Sequence, residues 1–401
     1  MGLWNGTLSL RRYHLLTDKC GKTFRDNEGI EKALRAHALV PLDPEGTEEK
    51  SLGWASPLDE QDLDLTTAKV WIDGFLVLTL RMDTLKAPPA EVKRLLKLRQ
   101  RELEAQRKEP LSASALRELK QMIALDLRRR TPVKTRTAWV VVDLENRRVY
   151  LTSHSKGTNE AFLTLFAQTF NEPVDLAGPA LWTRQTLSNE QVRALRPAAV
   201  LASGFADLRP CPNEANTIQR GTDGEENPDL LDVRYLAREF LTWLIYRCSQ
   251  EGGAHYDASA YSEAFQCMVG EHIRVRSLGE GANDVRMRGV APSETPDARY
   301  MIAGGHSVRE VELHFTQGER LYTAMVLAEG FDLARVRLPS LLSDEDTERE
   351  TERLRLIDEL NGMLRAAFVE FLRVRGSDEW DRGALPALHE WLRESLANDA
   401  N

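Results

Sequence analysis

The sequence predicts an α+β protein with antiparallel sheets and one long basic helical hairpin. Residues 87–130 carry two consecutive helical patterns, and residues 137–153 read as a β-hairpin. In the C-terminal part, short strand patterns are joined by turns that contain glycine. Neighbouring strands joined by short turns pair antiparallel, so these observations favour antiparallel sheets beside the helical hairpin.

The first elements are a strand in "LWNGTLSLRRYHLL" and a short helix around residues 28–38. A loop rich in proline, glycine and acids (41–51) leads to "SLGWASPL" (51–58). The following stretch, "VWIDGFLVLTLRM" (70–82), is rich in β-branched and aromatic residues, which is typical of a buried strand.

Two helices follow. Prolines open the first (87–110), where a first helical turn tolerates them, and Pro110 closes it. The second begins at Ser112 or Ser114 as the N-cap and ends at Arg130, with Pro132 just past its end. Together they predict a helical hairpin (89–130) inside an N-terminal α+β region (1–180).

The remaining chain predicts three further regions. Residues 181–270 form an insertion with irregular chain at about 184–230, a linker at 210–229 and a helix at 232–249. Residues 271–375 form a β-meander followed by a long charged helix (344–375), and residues 376–401 are a tail.

Composition indicates a globular protein that acts away from the membrane. The 401 residues carry a net charge of −9, and 42% are hydrophobic. Four cysteines without a CxxC pair predict reduced thiols rather than a disulfide framework or a zinc site. Since the most apolar stretch, "FLTWLIYRC" (240–248), is too short to cross a bilayer and no leader pattern precedes the first strand, we expect a cytoplasmic protein.

The positive charge is concentrated in one segment. Residues 91–136 contain 14 Lys/Arg against 6 Asp/Glu, a local balance of +8, which leaves −17 on the rest of the chain. At about 100° per residue, Arg94, Lys97, Arg101 and Lys108 share one face of the first helix, with Glu91 off that arc. Arg117, Lys120 and Arg128 share a face of the second. An ordinary solvated face is the alternative, but such faces usually mix both signs.

Five cations lie between Arg128 and Arg136 in "DLRRRTPVKTRT" (126–137), with no acid between those two residues. Arg128, Arg129 and Arg130 complement the dipole at the end of the second helix, which explains them without a ligand. Lys134 and Arg136 lie beyond Pro132, where the dipole has no effect. A polyphosphate backbone is the anion that best fits such a cluster.

Arginines also alternate with apolar residues in two predicted C-terminal strands, Arg274 and Arg276 in one and Arg286 and Arg288 in the other. Arg335 and Arg337 flank Val336 in a third. A period of two places them on one sheet face, either as a second phosphate-contacting surface or as the solvent face of the sheet.

Enzyme signatures are weak throughout. "GEGAND" (279–284) lacks the third glycine of a dinucleotide-binding loop, and Ser203 is not in a GxSxG elbow. His306 and His314 lack helical metal-ligand spacing, so we expect surface or packed histidines. Glu118-x-Lys120 mimics part of a nuclease motif but lies in mid-helix without a companion aspartate. We therefore predict no catalysis and no cofactor.

Several of these segments resemble the bacterial recombination-associated protein RdgC. The resemblance rests on Gly53-Trp54 with Pro57, on the strand 70–80 with Arg81 and Pro88, on the hairpin 89–130, and on Trp139 through Asp143. A weaker similarity covers residues 311–339. Pro132 stands where the family has an aromatic residue that helps close a ring.

The resemblance implies an RdgC-like, ring-forming homodimer that encircles duplex DNA without sequence preference, associates with the nucleoid and restrains the RecA recombinase. The predicted contacts to duplex DNA, with single strands left open, are the basic side chains Arg94, Lys97, Arg101, Lys108, Arg117, Lys120, Arg128, Arg129, Arg130, Lys134, Arg136, Arg274, Arg276, Arg286 and Arg288. Two alternatives remain at this point: a regulatory module whose basic patch binds an acidic partner, and a DNA-processing enzyme.

Overall fold

A computed structural model describes residues 3–16, 24, 26–195, 234–277, 283–289, 295–343 and 345–398. The predicted linker at 210–229, Ser203 and most of "GEGAND" lie outside these residues. The chain forms two compact units. We call residues 17–141 and 155–173 the hairpin unit, and residues 1–16, 142–154 and 174–401 the large unit.

The hairpin unit contains the two long helices predicted from the sequence. Its helices are α1 (Asn27–Ala36), α2 (Thr67–Val70), α3 (Pro89–Arg107), α4 (Ala113–Arg130) and α5 (Lys156–Phe170). Its strands are β2 (Lys50–Ala55), β3 (Trp71–Ile72), β4 (Phe75–Thr84) and β5 (Lys134–Asp143), whose last two residues fall in the large unit. β4 lies between β2 and β5, and β3 pairs with it antiparallel.

The single strand predicted at 70–82 is wrong, because a tight turn divides it. Asp73 and Gly74 both have positive φ, 45° and 84°, and the chain folds back so that Trp71 pairs with Leu76. An Asp-Gly pair is the usual signal for such a two-residue turn, since both positions require left-handed backbone. The apolar residues on each side of the turn obscured this signal.

The Gly53-Trp54 motif has a structural role in the hairpin unit. A Cβ on Gly53 would lie 2.4 Å from the backbone N and Cα of Leu39, so only glycine permits this approach. Trp54 is fully buried, and its indole Nε1 donates a hydrogen bond of 2.8 Å to Thr169 Oγ1 on α5. The motif therefore joins β2 to the chain after α1 and to α5.

The large unit is built on antiparallel strands that come from distant parts of the sequence. Its strands are β1 (Leu8–Leu15), β6 (Arg148–Leu151), β7 (Val174–Leu176), β8 (Ala254–Tyr256), β9 (Phe265–Arg276), β10 (Asp284–Arg288), β11 (Ser307–Gln317), β12 (Arg320–Leu327) and β13 (Leu333–Arg337). They pair in the order β10-β9-β11-β12-β13-β1-β6, with β8 on β9 and β7 on β1. The predicted α+β class with antiparallel pairing is confirmed in both units.

Helices complete the large unit. They are α6 (Pro179–Thr186), α7 (Asn189–Ala194), α8 (Arg234–Cys248), α9 (Pro296–Ala303), α10 (Asp346–Arg375), a π-helical turn (Trp380–Ala384) and α11 (Leu385–Asn398). Irregular chain was expected from about residue 184, but α7 occupies part of it. Ser188 and Gln191 form a capping box at the start of α7, and the helix buries Val192.

An aromatic cluster forms the core of the large unit beside the sheet. Phe368 of α10 contacts Phe240 of α8 edge to face, with ring centroids 5.2 Å apart, and it also contacts Phe331 at 5.0 Å. Burial at intervals of three and four residues along α10 creates this apolar face. A buried ion pair between Arg375 and Glu239, 2.8 Å apart, links α10 to α8.

Three further sequence expectations concern isolated features. Cys248 and Cys267 are free thiols, and the other two cysteines lie outside the described residues. Among the helices that the structure describes, none is long and apolar enough to span a membrane. The domain boundaries predicted from the sequence stay predictions.

Candidate nucleic-acid interface

Local sequence determines both helices of the basic hairpin. Pro88 and Pro89 start α3, and the Ser112 hydroxyl caps α4 by accepting from the Ala115 amide at 3.2 Å. α3 ends at Arg107, and Lys108 follows as a left-handed C-cap with φ 58°. Lys108 is therefore exposed at the turn of the hairpin and does not continue the helical face on which the sequence placed it.

The two helices pack on each other but bury few side chains. Val92 is the one buried residue in α3, and α4 buries Ile123 and Arg128. Leu98, Met122 and Leu125 are exposed by 49%, 65% and 37% although they are large and apolar. Both polar and apolar surfaces of the hairpin are thus open to a partner.

Nearly all the cations of this segment are exposed. Of the 14 Lys/Arg between residues 91 and 136, only Arg128 is buried. The exposed residues from the predicted set are Arg94, Lys97, Arg101, Lys108, Arg117, Lys120, Arg129, Arg130, Lys134 and Arg136. Lys93, Arg99 and Arg107 are exposed as well, although they lie off the helical arc on which the sequence predicts DNA contacts.

A few of these cations have carboxylate neighbours. Glu91 was expected to lie off the basic arc, but it accepts from Arg94 Nε at 3.0 Å because residues three apart are neighbours on a helix. This hydrogen bond raises the pKa of Arg94 and lowers the pKa of Glu91. Arg99 pairs with Glu102 at 2.9 Å and Arg129 with Glu45 at 3.4 Å.

The other exposed cations of the hairpin form no ion pair within the described part of the chain. They include Lys97 and Arg101 on α3 and Arg117 and Lys120 on α4. Exposed like charges at this density repel one another in the absence of a bound anion. The exposed sides of α3 and α4 therefore carry positive charge that few carboxylates compensate.

Arg128 belongs to the interior of the hairpin unit and not to this surface. Its side chain is 7% exposed, and its Nη2 donates to the backbone carbonyls of Asp43, at 3.0 Å, and of Glu48. These bonds hold the loop between α1 and β2 against the end of α4. We therefore remove Arg128 from the predicted set of DNA contacts.

Lys134 and Arg136 are both exposed and lie at the start of β5, which begins at Lys134. Between them, Thr135 donates to Asp83 Oδ1 at 2.8 Å, and Asp83 also accepts from Arg81 Nη2 at 2.8 Å. Side chains alternate between the faces of a strand, so Lys134 and Arg136 lie on the sheet face opposite to Thr135. Arg81 and Asp83 of β4 thereby hold the Thr135 side chain near the start of β5.

The strand arginines lie in the large unit. Arg274 is held on both sides, by Asp284 at 3.2 Å and by Glu310. Burial alone would lower the pKa of Arg274, but these two carboxylates outweigh it and the pKa is raised. Arg276, Arg286 and Arg288 are exposed.

The two histidines that the sequence predicts to be surface or packed residues have protein partners. His314 Nε2 lies 3.4 Å from Glu312 Oε1, and His306 Nδ1 lies 3.0 Å from the carbonyl of Met301. Glu312 also contacts His272 Nδ1 at 2.6 Å. In the part of the chain that the structure describes, no group of three or more His, Cys, Asp or Glu side chains has a geometry that could hold a metal ion.

Comparison with known proteins gives one family. A family model described as "Putative exonuclease, RdgC" matches residues 12–188, a range that contains the whole basic hairpin. A search of curated proteins found no match. Gly53, Trp54 and the hairpin, which carried the resemblance in the sequence, all lie within the matched range. This match covers less than half of the 401 residues, and it is consistent with a divergent and longer member of the RdgC family.

Proposed function

We propose that this protein binds duplex DNA without sequence preference through the hairpin surface. We define this surface as the exposed cations Arg94, Lys97, Arg101, Lys108, Arg117, Lys120, Arg129, Arg130, Lys134 and Arg136. The observation that carries the proposal is their exposure with little compensating negative charge. The family match supports it, because the matched range contains the whole hairpin, and the RdgC resemblance links that hairpin to recombination-associated proteins.

The dimensions of the hairpin suit a phosphate backbone. A helix of 19 residues such as α3 is about 28 Å long, and duplex DNA carries one negative charge per roughly 1.7 Å of its axis. The flexible Lys and Arg side chains can each neutralise a phosphate and release its counterions. Contacts of this kind position a protein on DNA but carry no sequence information.

The strand arginines have no part in this proposal. Arg274 is neutralised by Asp284 and Glu310. Arg274, Arg276, Arg286 and Arg288 all lie beyond the range that the family model matches.

We also propose that the protein acts as a homodimer. Leu98, Met122 and Leu125 expose large apolar side chains on the same two helices, and a contact between two copies of the chain would cover them. As the RdgC resemblance implies, a dimer occupying DNA would restrain RecA in the nucleoid by competing for the same substrate. The solution mass of the purified protein tests the dimer, and a monomer at micromolar concentration would refute it.

The DNA-binding experiment uses charge reversal at exposed positions. Lys97→Glu with Lys120→Glu should weaken binding to a 30-base-pair duplex at least tenfold at about 150 mM salt. Because this variant neutralises two fewer phosphates, the negative slope of log K against log salt should become shallower by about 1.8. The matched control is Arg373→Glu with Arg382→Glu, which changes the charge equally at side chains exposed by 69% and 81% in the large unit.

Two outcomes of this experiment would refute the interface. One is equal weakening by the control, which would indicate a general charge effect. The other is unchanged binding by the hairpin variant. If the wild type bound no duplex at low salt, an acidic protein partner for the basic patch would become the better hypothesis. In a RecA strand-exchange assay, the wild type should slow the reaction and the hairpin variant should not.

We propose no catalytic step, although the matching family model is described as an exonuclease. Linear duplex and single-stranded DNA incubated with the protein and magnesium should keep their full length. If nucleotide release copurified with the protein and a substitution in the protein abolished that release, this part of the proposal would be wrong.

A further inference from the structure

A cavity of about 210 Å³ lies on the sheet of the large unit, between β10, β9, β11, β12 and β13. Four arginines line it: Arg274, Arg286, Arg288 and Arg335. It is well over ten times the minimum needed for a single water molecule. None of its lining residues belongs to the hairpin surface, which lies in the hairpin unit.

The backbone of β13 is distorted where it reaches this cavity. Ala334 pairs with Met325, but the next pairing joins Arg337 to Thr323, so β13 carries an extra residue and forms a β-bulge. Arg335 lies in this bulge with φ 51°, a left-handed conformation that is uncommon for a residue other than glycine. Ala334 and Arg335, which stand at this bulge, both border the cavity.

The charges around the cavity are not balanced. Arg286 lies directly opposite Arg274 in the β10–β9 pairing, an arrangement of like charges that destabilises a sheet. Asp284 and Glu310 neutralise Arg274. Arg286, Arg288 and Arg335 form no ion pair with any residue that the structure describes, so three guanidinium groups border the cavity without a counter-charge.

The remaining lining consists of His272, Glu310 and apolar side chains, among them Met325, Leu327 and Ala334. Inorganic phosphate would bind the arginines but would make no contact with the apolar side chains. A ligand that matches both parts has an anionic group and a flat, largely apolar body. Arginine suits such a ligand because its planar guanidinium binds phosphate in bidentate fashion and stacks on aromatic rings.

We propose that this cavity binds a nucleoside monophosphate unit. The phosphate contacts Arg286, Arg288 and Arg335, and the base lies on Met325 and Leu327. The unit is supplied either by a free nucleotide or by the 5′-phosphorylated end of a nucleic acid. Neither source requires the hairpin surface, so this proposal stands whether or not duplex DNA binding is confirmed.

The test is a calorimetric titration of the full-length protein with dAMP, with a 5′-phosphorylated tetranucleotide and with inorganic phosphate. The variant Arg335→Gly removes one guanidinium and places glycine where the backbone is left-handed, so the fold is kept. We expect at least tenfold weaker binding of dAMP or the tetranucleotide by this variant, and an unchanged or higher melting temperature. Arg337→Ala, an exposed arginine of the same strand outside the cavity, should bind as the wild type does.

The arms of the titration separate the possible results. Binding of dAMP assigns the site to free nucleotides, and binding of the tetranucleotide alone assigns it to nucleic-acid ends. Lys97→Glu with Lys120→Glu should leave both affinities unchanged, which distinguishes this site from the hairpin surface. Three results would overturn the proposal: no saturable binding of either nucleotide probe, equal binding by Arg335→Gly, or binding of inorganic phosphate as tightly as dAMP.

Discussion

Arg128 offers the sharpest test of the structure, because the sequence alone groups it with its neighbours as a surface cation. In the structure it is buried, and its guanidinium donates to two backbone carbonyls of the loop at residues 43–48. Arg128→Ala should therefore destabilise the hairpin unit, whereas Arg129→Ala should not, since the Arg129 side chain is 48% exposed.

The expected destabilisation follows from these hydrogen bonds. A hydrogen bond from a charged donor contributes about 1.5–3 kcal/mol, so two give an upper limit near 6 kcal/mol. Asp43 and Glu48 are exposed, so water can solvate their carbonyls once the guanidinium is gone. In addition, the Nε–H of Arg128 is buried without a hydrogen-bond partner among the described residues, which offsets part of the gain. We expect Arg128→Ala to lower the free energy of unfolding by about 2 kcal/mol.

Thermal unfolding measures this difference. For a unit of roughly 140 residues, 2 kcal/mol corresponds to a fall of about 4–8 °C in the transition of the hairpin unit. Exposed Arg129→Ala should change the free energy of unfolding by no more than about 0.5 kcal/mol. Equal shifts for the two variants would show that Arg128 is not held as described. Faster proteolysis of the 43–48 loop in Arg128→Ala alone would support the assignment.

Three further predictions concern the fold. Gly53→Ala should lower the stability of the hairpin unit by about 2–4 kcal/mol in urea unfolding, because the new methyl group would lie 2.4 Å from backbone atoms; a decrease under about 1 kcal/mol would contradict this. Tyr256→Phe should raise the melting temperature of the large unit, since the buried Tyr256 hydroxyl has no hydrogen-bond partner among the described residues; a lower value would reveal one. Burial raises the pKa of Tyr13 to about 12 and also raises the pKa of Tyr150. The unfolded chain loses phenol protons near pH 10 while the folded chain keeps them, so the free energy of unfolding should fall between about pH 10 and 12, and less steeply in Tyr13→Phe.

The sequence predicted the basic hairpin well because its signals are local. Proline at the start of α3 fixes its own φ angle and serine before α4 caps the first helical turn, and the structure places both as expected. Except for Arg128, the exposure of the cations on α3 and α4 also follows from the sequence, since long charged side chains are rarely buried. The family resemblance rested on these same features and is confirmed over residues 12–188.

Long-range contacts account for the features that the sequence did not reveal. Arg128 looks like any other helix-end cation, and its burial depends on carbonyls 80 and 85 residues away. Arg274 alternates with apolar residues as a surface arginine would, yet Glu310 of a neighbouring strand neutralises it. The turn at Asp73 and Gly74 did have a local signal, but the apolar residues around it made a continuous strand the stronger interpretation.

The amino-acid sequence by itself determined the α+β class, the hairpin with its caps and the concentration of positive charge between residues 91 and 136. Each of these depends on residue type and short spacing. Only the tertiary structure decided which cations are exposed without compensation, because that depends on which carboxylates and carbonyls the fold brings beside them. It also placed Arg335 in a bulge on an arginine-lined cavity, since a bulge is defined by pairing with another strand and not by the sequence of its own.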